Sequence, residues 1–207
     1  MKDFELSTSG NFKIKEECER LLIYVPDFLS QLQNDYFALC NMLSGWQRER
    51  LSFYGRNYYL PRLTLWFSKE QLGYKYSGIQ MDSKPYPKFL GEISDKVCNF
   101  TKQNFNGVLL NKYRNGLDKV GWHSDNERCL GETINVATIS LGTTRTFFAK
   151  KSNGKKRLEL DLKPGSLLIM QHPFQNEWLH CIPARPKVRN PRISLTFRKI
   201  ETPEESE

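Results

Sequence analysis

"RISLTFR", residues 192–198, alternates without a break. Side chains along a strand point to opposite faces in turn. Ile193, Leu195 and Phe197 therefore form one face, and Arg192, Ser194, Thr196 and Arg198 form the other. The apolar face calls for a core behind it. The polar face carries two arginines, about 20 Å apart at strand rise. It fits either solvent or an anion site, because guanidinium pairs bidentately with carboxylate.

Upstream lie more short runs of the same texture: "GVLLNKY" (107–113), "NVATISLG" (135–142), "TRTFFAK" (144–150), "RLELDL" (157–162) and "GSLLIM" (165–170). Gly, Pro, Asn and Asp punctuate them, and no helical period separates them. Such spacing predicts an antiparallel sandwich or barrel and argues against a parallel βαβ sheet. Within "GVLLNKY", Leu109, Asn111 and Tyr113 share a face, so an amide and a phenol point the same way. Two stretches read as helices. Phe28, Leu32, Tyr36, Leu39 and Leu43 recur at helical spacing in 27–45, and Phe89, Ile93, Val97 and Phe100 do so in 87–103. Helices followed by strands give an α+β class. Residues 50–79 are dense in aromatics and arginine. That composition suits buried hairpins, and equally loops that stack on bases and meet phosphates.

The chain has 207 residues and reads as one domain, with 50–80 as a recognition region and 106–200 as a β core. Hydrophobic residues at 39% exclude a disordered chain. Lys and Arg number 31 against 23 Asp and Glu, a net charge of +8 that is compatible with a polyanionic partner. Five cysteines, at 18, 40, 98, 129 and 181, form no C-x-x-C pair. They read as reduced thiols of an intracellular protein. No stretch has the length and apolarity of a membrane span or a signal segment, which predicts a soluble protein.

"GWHSDNE", residues 121–127, places His123 and Asp125 around one serine in a chain with only three histidines. A lone pair of this kind is often a polar turn. A second histidine would change that. Two imidazoles and one carboxylate on one face of an octahedral metal leave three positions open, the geometry of non-haem Fe(II) oxygenases. A third histidine would suit zinc instead. His172 and His180 both follow "GSLLIM", and spacing puts His180 only modestly ahead.

Taken in order, N-x-Y ("NKY"), H-x-D ("HSD"), a distant His, and R-x-x-x-x-x-R ("RISLTFR") resemble the AlkB-type Fe(II)- and 2-oxoglutarate-dependent dioxygenases that dealkylate nucleic-acid bases. The likeness runs from about residue 50 to 200. It is closest to the eukaryotic branch that repairs double-stranded DNA, through "YGRNYYLPR", "YSG", "HPF" and "WLHCIP". The resemblance implies a double-stranded β-helix, or jelly roll, buttressed by N-terminal helices and carrying an aromatic and basic recognition hairpin. It implies Fe(II) held by His123, Asp125 and His180, with 2-oxoglutarate and O₂ as cosubstrates. By position, Arg192 would take the distal carboxylate of 2-oxoglutarate. Asn111, Tyr113, Ser194, Thr196 and Arg198 would complete that pocket, with Arg198 serving the other carboxylate or the metal carboxylate. Ser194 stands where many relatives carry Asn.

The implied reaction is oxidative demethylation of 1-methyladenine or 3-methylcytosine in DNA, releasing succinate, CO₂ and formaldehyde. The base must leave the duplex to be reached. Phe53 and Tyr54 would wedge the vacated stack, with Gly55 at the turn. Tyr74 and Tyr76 would line the base pocket, Tyr76 opposite His123. Asn126 and Glu127 would face the exocyclic amine, and Arg62 would meet phosphate. The implied protein is a monomer without membrane contact, nuclear if eukaryotic and cytoplasmic if bacterial. Two alternatives stand beside it: an RNA or single-strand demethylase of the same chemistry, and a non-catalytic jelly roll that binds modified bases. The intact ligand set and both arginines argue against the second.

Overall fold

The computed structural model describes residues 21–201 except 30, 54, 55, 77, 155 and 156, and not the side chains of Ser52, Phe53 and Tyr76. In chain order the elements are β1 (Leu22–Val25), α1 (Gln33–Met42), β2 (Arg50–Phe53), β3 (Arg56–Tyr59), β4 (Leu63–Ser68), β5 (Tyr74–Tyr76), β6 (Ile79–Met81) and α2 (Lys88–Thr101). They continue with β7 (Gly107–Tyr113), β8 (Val120–His123), a 3₁₀ turn (Arg128–Leu130), β9 (Val136–Gly142), β10 (Arg145–Lys151), β11 (Arg157–Leu162) and β12 (Leu167–Met170). The short helix α3 (Phe174–Glu177), β13 (Trp178–Ile182) and β14 (Arg192–Arg198) complete the fold.

Two sheets face each other. The larger has the order β1-β12-β9-β14-β7-β4 and the smaller β11-β10-β13-β8. Every strand pairing within them is antiparallel. The non-sequential order, with β14 between β7 and β9, is the double-layered winding expected of a jelly roll. Gly142 ends β9 at φ +82°, and a Cβ there would stand 2.7 Å from the Pro191 carbonyl oxygen. Only glycine meets both demands at low cost.

β14 shows how the sheets are filled. All seven of its residues are buried, so neither face meets solvent. Ile193, Leu195 and Phe197 pack with Val108, Leu110, Ala137 and Ile139 against Leu90, Ile93 and Val97 of α2 and Tyr36 and Cys40 of α1. This is the outer core, between helices and large sheet. A second core, with Leu109, Val136, Phe147, Leu160, Leu168 and Ile182, fills part of the space between the sheets.

Both predicted helices form, with corrections. α1 covers ten residues of the expected 27–45. Residues 26–29 turn instead, because the Leu29 amide donates to the Gly165 carbonyl at 2.8 Å and so ties this segment to the turn before β12. The buried positions of α1 are Tyr36 and Cys40, while Leu32 and Leu39 are exposed. α2 buries Leu90, Ile93, Ser94 and Val97, and Phe100 sits at the rim in an edge-to-face contact with Phe28, ring centroids 5.3 Å apart. The N-terminal part is also richer in strands than the expectation of helices followed by strands allowed. Residues 50–81 hold two hairpins, and between them β4 becomes an edge of the large sheet. The four cysteines among the described residues are free. Among those residues, no helix is long and apolar enough to cross a membrane.

Candidate metal and cosubstrate site

β8 and β13 are adjacent in the small sheet, and their register sets His180 directly across from His123. The two rings lie 4.2 Å apart between centroids. Asp125 follows β8 by two residues and is 1% exposed. Nε2 of His123 stands 4.0 Å from Asp125 Oδ1, and Nε2 of His180 stands 4.0 Å from Asp125 Oδ2. One ligand atom from each residue can be chosen so that all lie within 4.8 Å of one another. That spacing lets one ion reach all three at ordinary bond lengths. His172 is exposed on the turn before α3 and belongs to no such group.

Local bonds prepare the donors. Nδ1 of His123 lies 2.9 Å from the Gly121 carbonyl oxygen and donates to it, which leaves the lone pair on Nε2. Burial lowers the His123 pKa and takes that of His180 down to about 3, so both imidazoles are neutral as ligands must be. Burial alone would raise the Asp125 pKa, but the Arg198 guanidinium beside it holds it below the usual carboxylate range. Arg198 donates from Nη2 to Asp125 Oδ1 at 2.8 Å. Of the two partners expected of Arg198, the Asp125 carboxylate is the one it contacts.

The triad opens into a cavity of about 530 Å³, open space at its mouth included. Its lining includes Asn111 and Tyr113 from β7 and Arg192, Ser194, Thr196 and Arg198 from β14. Neighbouring strands of the large sheet bring together every predicted cosubstrate residue, as Arg192 pairs with Tyr113 and Ser194 with Asn111 across the ladder. The polar face of β14 is thus the inner wall of a cavity and not a solvated surface. Arg192 is 1% exposed and donates from Nη2 to Ser140 Oγ at 2.8 Å, with its guanidinium 5.1 Å from the Tyr113 ring. Its Nε and Nη1 are buried and have no hydrogen-bond partner, as is also true of Nε and Nη1 of Arg198. Unsatisfied buried donors cost free energy unless a ligand meets them.

Charge points the same way. The lining holds Arg62, Arg192 and Arg198 against Asp125 alone, a formal 3 − 1 = +2 with neutral histidines. A divalent cation would add to this excess. A small dianion with two carboxylates would offset the charge of the cation, reach the open arginine donors and leave a keto oxygen for the metal. The donor set and the orphaned guanidinium atoms therefore fit Fe(II) with 2-oxoglutarate.

The matching family profile is described as "2OG-Fe(II) oxygenase superfamily" and covers residues 22–198. The chain belongs to the 2OG-Fe(II) oxygenase superfamily. Among curated proteins, this oxygenase is similar to "DNA oxidative demethylase ALKBH2" of Bos taurus, with 40% identity over 159 residues, 73% of this chain and 57% of that protein. It is also similar to "Alpha-ketoglutarate-dependent dioxygenase alkB homolog 3" of Homo sapiens, with 39% identity over 193 residues, 87% of this chain and 66% of that protein. The oxygenase thus spans less than two thirds of either relative. The solved structure of OsALKBH1 shares its fold, with a TM-score of 0.60 and 17% identity, over 86% of this chain and 96% of that one.

The remaining predicted residues divide. Tyr54 and Gly55 lie outside the described residues, as do the side chains of Phe53 and Tyr76. Arg62 is not on the surface, where a backbone phosphate would be met. It is 3% exposed, lines the cavity and donates from Nε to Asn111 Oδ1 at 2.7 Å. Tyr74 offers no open stacking wall either. It is fully buried, stacked on Trp66 at 4.6 Å and overlain by the Arg198 guanidinium at 5.4 Å. Glu127 is half-buried beside Tyr74 and Arg198, and burial raises its pKa. Asn126 is exposed.

Three contributors escaped the sequence reading. Ser140 and Thr138 stand on β9 opposite Ser194 and Thr196, and Thr138 lines the cavity. The alternation of Thr138 and Ser140 with Ala137, Ile139 and Leu141 in "NVATISLG" was the available signal. Gln175, on α3, accepts from the Asp125 amide, and no motif marks it.

Proposed function

We propose that this oxygenase removes N-linked methyl groups from nucleic-acid bases, with DNA as its principal substrate. One observation carries the reading: the buried, unpartnered Nε and Nη1 of Arg192 in the same cavity as a His–Asp–His set. The similarity to a protein named a DNA oxidative demethylase supports this substrate class. When bound, Fe(II) with 2-oxoglutarate and O₂ supplies the oxidation that turns an N-methyl group into formaldehyde, with succinate and CO₂ as coproducts.

The chain's own residues position and protect. His123, Asp125 and His180 would hold the metal from one side, leaving the other to substrates. Arg192, oriented by Ser140 and Tyr113, would grip the distal carboxylate of 2-oxoglutarate. Asn111, fixed by Arg62, and Ser194 and Thr196 would flank the chain of that molecule. Val120, Phe147, Leu162, Leu168 and Ile182 line the cavity with apolar surface that keeps water from the reacting centre. Glu127, backed by Tyr74, would accept from the exocyclic amine of the flipped base. Phe53 and Tyr54 would fill the gap the base leaves, with Gly55 at the turn and Tyr76 against the base. Asn126, exposed next to Glu127, would face the same amine. The enzyme would act as a monomer of one catalytic domain, inside the cell and in the nucleus of a eukaryotic source.

A side-by-side assay of formaldehyde and succinate release tests this, with 1-methyladenine in duplex DNA, single-stranded DNA and RNA. Turnover highest on DNA is expected. Turnover on RNA alone would move the substrate class, and tight oligonucleotide binding without succinate would leave only a binding module. Replacing Phe53 and Tyr54 together with Ala should lower duplex turnover more than single-strand turnover. Equal losses would remove the wedge.

A further inference from the structure

Asp125 is the only metal-binding candidate of the three that stands outside a strand, since residues 124–127 have no regular secondary structure. His123 and His180 are located by the β8–β13 ladder. The aspartate needs other tethers, and two contacts supply them. Arg198 holds its carboxylate. Its backbone N–H donates to Oε1 of Gln175 at 2.9 Å.

Gln175 is 3% exposed and sits on α3, in the segment that leads from β12 into the strand of His180. Its amide has one sensible orientation. Oε1 must face the donor N–H of Asp125, and Nε2 then points to the Met170 Sδ acceptor at 3.6 Å. Turning the amide over would set donor against donor and lose both contacts. The side chain therefore clasps the Asp125 loop to the segment that carries His180, fifty positions away in sequence. A polar side chain this deeply buried is retained at a cost unless its bonds serve a purpose.

We propose that Gln175 is a positioning residue that sets the metal affinity of the triad by holding the Asp125 backbone. It touches neither the metal nor the substrate. This rests on the reading of His123, Asp125 and His180 as metal ligands. Groups behind metal ligands typically carry about 10- to 100-fold in affinity, and the effect here belongs in that range.

The test uses the whole chain, Mn(II) titration by calorimetry, and the visible spectrum of the Co(II)-loaded protein. Gln175→Leu and Gln175→Met both fill the space without offering the amide oxygen, and two variants guard against one failing to fold. Gln175→Glu keeps an oxygen for the Asp125 N–H. The expected result is Mn(II) affinity about tenfold or more weaker in both apolar variants, an altered Co(II) spectrum, and partial recovery of both in Gln175→Glu. Wild-type affinity and an unchanged spectrum in a folded apolar variant would overturn the proposal, whatever happens to the melting temperature. Equal weakening in all three variants would overturn it too, since loss of packing would then explain the result. If the wild type itself bound no Mn(II) or Co(II), the metal reading would fall first.

Discussion

The two faces of β14 are equally buried and differ in nearly everything else. Ile193, Leu195 and Phe197 pack into an apolar core against two helices and carry no polar side-chain atom themselves. Arg192, Ser194, Thr196 and Arg198, interleaved with them, line a cavity in which four guanidinium nitrogens lack partners. The outer face contributes stability. The inner face gives some of it up, because charge is buried there before its ligand arrives. One strand thus serves as both the wall of a core and the floor of a site. Burial alone would not tell the two apart; hydrogen-bond satisfaction does.

Substitutions should separate the faces. The largest effect is expected of Asp125→Ala, which removes the carboxylate from the ligand set. Formaldehyde release should fall to background and Mn(II) binding should be lost with it; retained turnover would mean that the metal lies elsewhere. On the outer face, Leu195→Ala should cost about 2–5 kcal/mol of folding stability, read from denaturant unfolding. At a temperature where that variant is still folded, its KM for 2-oxoglutarate should match the wild type. A raised KM with little loss of stability would break the division between the faces. Arg192→Met should do the reverse. Its KM for 2-oxoglutarate should rise about 10- to 150-fold, the equivalent of a charged hydrogen bond worth about 1.5–3 kcal/mol. Mn(II) affinity should hold, and the melting temperature should stay or rise, since an uncompensated buried cation has been removed.

How far the sequence reached depends on how local each signal is. Period-two alternation is a property of a few neighbouring residues, so both faces of β14 and the shared face of Asn111 and Tyr113 were legible. What lay behind the polar face was not, because solvent and a cavity both favour Arg, Ser and Thr. The choice of His180 over His172 was open for a similar reason. Both follow β12, and only the pairing of β13 with β8 sets one of them across from His123. Helix α1 was overextended because apolar spacing continues through Phe28, while the bond from Leu29 to Gly165 joins positions far apart in the chain. Arg62 looked like a surface cation because its neighbours are aromatic and basic. Its burial follows from the pairing of β4, which it precedes, with β7 and from its bond to Asn111. Gln175 left no trace in the sequence at all. Its partner is a backbone amide fifty residues away, and any residue type would supply one.

The central claim is that the inner face of β14 and the His123–Asp125–His180 group form one working site. The most direct test is the stoichiometry of a single incubation with Fe(II), 2-oxoglutarate, O₂ and an oligonucleotide carrying 1-methyladenine. The account predicts one succinate and one formaldehyde for each adenine restored, both abolished in Asp125→Ala. Restored adenine without succinate, or undiminished products in that variant, would contradict it.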